Sequence, residues 1–102
     1  MGSSSDVERI IQRIEGIILS SLYDLYKIGI SKLTLDELKS KILTLLNDDL
    51  TFDKRRIDDL TQKAISSLTE QDHIMTPDNG KEYHITLYGI NEYEKREYQG
   101  LL

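Results

Sequence analysis

Cysteine is absent from the 102-residue chain. That absence removes disulfides, thiolate metal ligands and cysteine nucleophiles together, and it is compatible with a reducing interior. Tryptophan is also missing, and with one phenylalanine against six tyrosines the aromatic content rests almost wholly on Tyr. No apolar run approaches the ~18 residues of a membrane span. The most apolar patch, Gly16 to Leu25, is broken by Ser20, Ser21 and Asp24. With no membrane span and no export signal in view, a cytoplasmic location is expected. Positive charge is in deficit, 13 Lys and Arg against 18 Asp and Glu, for a net charge of −5. A surface tuned throughout to a polyanion is therefore disfavoured, although a local basic strip is not.

Signals for chemistry are also missing. The carboxylates are scattered over helix surfaces, no glycine-rich loop precedes a helix, and no serine stands in a nucleophile-elbow context. His73 and His84 have no third ligand at metal-like spacing. A non-enzymatic protein with no cofactor and no metal is expected.

What remains is one small domain with a helix-leaning alphabet of Ile and Leu. Residues 1–5, Met-Gly-Ser-Ser-Ser, resemble a vector-derived leader or a frayed terminus, and residues 6–102 are expected to form the domain. Val7, Ile10, Ile11, Ile14, Ile17, Ile18, Leu22, Leu25 and Ile28 recur at three- and four-residue steps and predict a long first helix. Gly29 is placed to end it in a left-handed cap, with Lys27 where the helix dipole favours a cation. A second apolar row, Leu19, Tyr23 and Tyr26, lies on the opposite flank and needs a cover. Either the chain's own last helix or a second copy of the protein can supply it. Tyr93 and Tyr98 fall on that last helix, so these five residues are the candidate dimer or partner interface.

Ser31 to Leu33 reads as a short extended link. Thr34-Leu35-Asp36-Glu37 has the form of a capping box that starts a second helix, whose buried side is expected at Leu35, Leu38, Ile42, Leu45 and Leu46. Asn47-Asp48-Asp49 stops it. A third helix is expected from a cap at Thr51 or Asp53 to about Glu70, with Ile57, Leu60, Ala64 and Leu68 inward and Ile65 at the margin. Ile74-Met75-Thr76 and Glu82-Tyr83-His84-Ile85 predict a two-stranded ribbon closed by Pro77-Asp78-Asn79-Gly80, with Ile74 and Ile85 on one face. Thr86 then caps a final helix through Leu87, Ile90 and Tyr93, with Gly100 near its end. The expected fold class is α+β, mostly α.

Ile65-Ser66-Ser67-Leu68, then Gln71-Asp72-His73-Ile74, a polar tip, and Tyr83-His84-Ile85-Thr86-Leu87-Tyr88-Gly89 together resemble the winged-helix family. In many bacterial and archaeal members the second wing strand leads into a leucine-threonine, two residues, glycine helix start. Here the threonine is Thr86, the glycine is Gly89, and Ile85 takes the place of the leucine. The resemblance covers about Thr34 to Tyr93, and its force comes from the order of parts. It implies three helices and a wing with an additional C-terminal helix, frequent two-fold dimers, and groove reading by the third helix with the wing along phosphates. Two departures stand out. Gln71-Asp72-His73 lacks the glycine common before the first wing strand, and Lys81 is the wing's one firm cation.

On that resemblance, Arg55, Arg56, Gln62, Lys63, Ser66 and Lys81 are the candidate duplex-DNA contacts: arginines for guanine edges or phosphates, Gln62 for a base edge, Lys63 and Ser66 for phosphates. Charge pulls the other way. Lys54, Arg55, Arg56 and Lys63 are matched by Asp53, Asp58, Asp59 and Glu70, and Asp59 lies one turn from both Arg55 and Lys63. The two readings are a DNA-binding regulator acting as a homodimer and a winged-helix module that docks on another protein.

Overall fold

The first helix, α1, runs over Ser3–Lys27, because Ile10, Ile14, Ile18 and Leu22 at four-residue steps give it one fully buried stripe. It begins inside the stretch expected to be a leader. The computed structural model describes residues 3–30, 32–76 and 81–98, which leaves the Pro77–Gly80 turn, the side chain of Tyr98 and Gly100 outside the described residues. At ~1.5 Å per residue α1 is about 37 Å long, close to the 40 Å longest dimension of the molecule. Every other helix packs against it.

The end of α1 is a Schellman motif. Gly29 adopts φ 88°, the Ile30 amide donates to the Leu25 carbonyl at 2.8 Å and the Gly29 amide to Tyr26 at 3.1 Å. Ile28 lies beyond the last helical turn and is 70% exposed, so it does not belong to the buried stripe as expected. Strand β1, Leu33–Thr34, follows.

Helix α2, Leu35–Leu45, opens with the capping box: the Glu37 amide donates to Thr34 Oγ1 at 3.2 Å, and the Thr34 amide donates to the Glu37 carboxylate at 2.9 Å. Leu38, Ile42 and Leu46 are fully buried. Leu45, expected among them, is 59% exposed. The buried edge follows the four-residue step from 38 to 46, which turns Leu45 toward an open groove that it shares with Ser21, Asp24 and Leu25 of α1.

The third helix starts later than expected. Asp53 caps a 3₁₀ turn, Lys54–Arg56, by accepting from the Arg55 amide at 3.0 Å, and only then does α3 run over Ile57–Glu70. Arg55 and Arg56 thus stand on the lead-in turn. Leu60, Thr61, Ala64, Ile65 and Leu68 are buried, Ile57 is half-buried against them, and Ile65 lies deeper than the margin expected for it.

The missing glycine after α3 is accounted for by Asp72, which takes φ 61°. Its amide donates to Thr69 at 3.0 Å and the His73 amide to Leu68 at 2.9 Å, the same Schellman pattern that closes α1. Aspartate is among the few side-chain-bearing residues that enter this backbone region readily.

Strand β2, Ile74–Met75, and strand β3, Glu82–Ile85, are antiparallel, and β1 joins the other edge of β3 to give the order β1-β3-β2. Ile74 pairs with Ile85 and Leu33 with Tyr83, so Ile74, Tyr83 and Leu33 go into the core while Ile85 packs at its edge. Helix α4, Leu87–Tyr98, starts at a cap in which the Gly89 amide donates to Thr86 Oγ1 at 3.0 Å. The Thr86 hydroxyl in turn donates to the Asp72 carbonyl, and the Thr86 amide donates to the His73 carbonyl at 3.0 Å. A Cβ on Gly89 would collide with that same His73 carbonyl and with the Ile85 side chain. The Thr86-to-Gly89 spacing therefore ties the start of α4 to the end of α3.

Helix α4 also covers Tyr23 of the second row of α1. Tyr23 stacks on Tyr93 with centroids 4.5 Å apart, and its hydroxyl donates to Glu94 at 2.8 Å, which together with burial pushes the Tyr23 phenol up to about 12. At Tyr23 the cover is the chain's own last helix, while Tyr26 of the same row stays exposed.

Candidate nucleic-acid interface

The outer face of α3 is set by the same periodicity that buries its inner face. Asp59, Gln62, Lys63, Ser66 and Glu70 recur at three- and four-residue steps, are all exposed, and line with Ser67 a shallow depression of ≈ 310 Å³. Three of the six candidate contacts, Gln62, Lys63 and Ser66, are thereby brought together. Arg56 joins them through Asp59, whose carboxylate accepts from Arg56 Nη2 at 2.9 Å and sits 3.6 Å from Lys63 Nζ.

The other two stand apart. Arg55 folds back onto its own cap, Asp53, at 3.1 Å, rather than onto Asp59. Lys81 shares a depression with Thr34, Leu35 and Asp36 at the start of α2. Lys54 donates to Asn47 at 2.9 Å, and Lys39 of α2 reaches Asp58 at 2.8 Å.

Every α3-side cation with an ion-pair partner holds it across an exposed contact. Asp59 is held below the usual carboxylate range chiefly by the hydrogen bond from Arg56, with Lys63 adding to it, and Asp53 is lowered by Arg55. Exposed pairs of this kind are worth little, so the face is neutral at rest and cheap to rearrange.

Among the tyrosine-row candidates, Leu19, Tyr23 and Tyr93 are buried inside the chain, and their area is spent on one another. Tyr26 is 48% exposed and remains open to a partner.

One polar cluster has no counterpart in the sequence reading. Asp49, taken there only as part of a helix stop, accepts from Arg13 at 2.5 Å, from Arg9 at 3.2 Å and from the Thr51 amide at 2.9 Å, and Arg9 also donates to the Thr51 hydroxyl. The signal for it was the Arg9 and Arg13 pair, one turn apart on α1. Glu15, further along α1, has its carboxyl raised by burial, with Ser67 of α3, Arg96 of α4 and Gln71 just after α3 opposing that rise. Among the described residues no group of three or more His, Asp or Glu is placed to hold a metal ion, and no helix is long and apolar enough to cross a membrane.

Comparison of the chain with protein-family models, with curated proteins and with solved structures gives no match.

Proposed function

We propose that this chain is a winged-helix domain that binds duplex DNA through the outer face of α3, with Gln62, Lys63 and Ser66 on the base and phosphate side and Arg55 and Arg56 at the helix entrance. The observation that carries the reading is one helix, followed directly by a β-ribbon, whose polar face stands free of the fold while its other side is buried. A helix of ~10–12 Å diameter fits a major groove about 12 Å wide. Mixed-sequence duplex at ~50 mM salt is the probe, and with three to four cations engaged at ~0.9 per phosphate the logarithm of affinity falls with the logarithm of salt with a slope of about −3. The double variant Arg55→Ala with Arg56→Ala flattens that slope. A duplex that is not retained at ~50 mM salt ends the reading.

The ion pairs at Asp53 and Asp59 favour a second reading, in which the same face docks on a protein with matching charges. Tyr26 is the tyrosine of α1 left open for that partner or for a second copy. Sedimentation and capture with Tyr26→Ala test it: an unchanged mass and unchanged partner binding remove Tyr26 from any interface.

A further inference from the structure

The carboxylate that touches both Arg56 and Lys63 bears on which DNA this face accepts. Resting on the duplex reading above, we infer that Asp59 is a specificity-determining residue: it holds Arg56 and Lys63 off the phosphate backbone and admits duplex where a cytosine amine takes the carboxylate. The geometry is local and complete. Asp59 stands one turn after Arg56 and one turn before Lys63, touches both, and lies in the depression lined by Gln62 and Ser66, where the base edges of a docked duplex would fall.

Phosphates alone cannot engage this face without stranding the carboxylate against like charge, so sequence-independent attraction, normally the larger share of DNA affinity, is suppressed. A cytosine N4 amine in the major groove is a donor that satisfies the carboxylate and releases both cations to flanking phosphates. An A·T-only duplex offers the adenine N6 amine, but beside the N7 acceptor that a carboxylate repels.

The test compares wild type, Asp59→Asn and Asp58→Asn on an A·T-only duplex and on a duplex of mixed G·C content. Asp58 is the control because it removes the same charge from the same helical turn, yet it pairs with Lys39 of α2 and not with Arg56 or Lys63. Asp59→Asn is expected to tighten A·T-only duplex about tenfold at ~50 mM salt and to steepen the salt slope by about 1 to 2, the yield of one or two phosphate contacts. The preference of wild type for the G·C-containing duplex shrinks with it, and Asp58→Asn changes neither. Tightening by Asp59→Asn alone, including the case where wild type is retained on the mixed duplex but not on the A·T-only one, supports the inference. Retention of wild type with no tightening in Asp59→Asn, or equal tightening in Asp58→Asn, overturns the inference and leaves the duplex reading standing. Failure of wild type to retain the mixed duplex overturns both.

Discussion

Asp49 and Asp59 each hold two cations, but they draw them from different distances along the chain. The partners of Asp49 are Arg9 and Arg13, 40 and 36 residues away on α1, and the Asp49 side chain is only 9% exposed. The partners of Asp59 are only three and four residues away, Arg56 at the lead-in turn and Lys63 on α3 itself, and its side chain is 53% exposed. A pair within one helix forms whenever the helix does and opens without disturbing anything else, whereas a pair between α1 and the loop after α2 exists only in the folded chain. Two similar charge patterns are thus a joint in one place and a free surface in the other. Replacing each carboxylate is the direct way to break that contrast.

The largest effect is expected at the joint. Asp49→Ala leaves two arginines without their counter-charge and the Thr51 amide without its acceptor, and a group stripped of its partner in a tight site costs more than the bond itself contributed. A thermal melt should show Tm lowered by about 5 °C or more, against no more than about 1–2 °C for Asp59→Ala. Equal shifts would show that burial of the Asp49 side chain carries no weight and would dissolve the comparison.

Acid is a gentler probe of the same difference. The Asp49 carboxyl is held far below its ordinary value by the Thr51 hydroxyl first and by Arg9 next. A carboxylate whose folded value lies below its unfolded value of about 3.9 contributes stability that is fully present above that value and is lost as pH falls toward the folded one. Wild-type Tm should therefore drop as pH goes from about 5 to about 3, and the gap between wild type and Asp49→Asn should narrow over the same interval. Glu15 has the opposite sign. Burial raises its carboxyl, so its ionised form is disfavoured in the folded chain, and Glu15→Gln should raise Tm slightly at neutral pH with the gain fading in acid.

The Asp49 joint was also the part that the sequence concealed, while most of the secondary structure was legible. The capping box at Thr34 and Glu37, the left-handed Gly29 and the Thr86 cap are all written within four residues of where they act. Periodicity likewise placed Ile74 with Ile85 and filled the inner face of α3. What failed was long-range or a matter of margins. Leu45 matched the helical period yet faces an open groove, since the period fixes a direction and not what α1 offers there. The start of α3 slipped from Asp53 to Ile57 because a capped 3₁₀ turn carries the same local signal as a helix start. Asp72 hid a glycine's job, because backbone angle is not written in residue type when aspartate tolerates it. On the outer face of α3 the sequence paired Asp59 with Arg55, but Arg55 is claimed by the cap it stands on, and Arg56 takes its place.

The smallest expected effect separates the two carboxylates by salt. Raising salt from 0.1 M to 1 M shortens the screening length from roughly 10 Å to 3 Å, which weakens exposed pairs much more than sheltered ones. Arg56→Ala removes a pair already open to water, so its Tm should differ from wild type by no more than about 1–2 °C at low salt and not at all at 1 M. Arg13→Ala removes a contact to a carboxylate that also holds Arg9 and the Thr51 amide, and its deficit should survive the same increase in salt. If the Arg13 deficit vanished at 1 M salt, Asp49 would be one more solvated acid, and burial could not be what separates it from Asp59. If the Arg56 deficit persisted instead, the α3 face would be rigidly paired, and Asp59 could not yield Arg56 and Lys63 to an arriving phosphate.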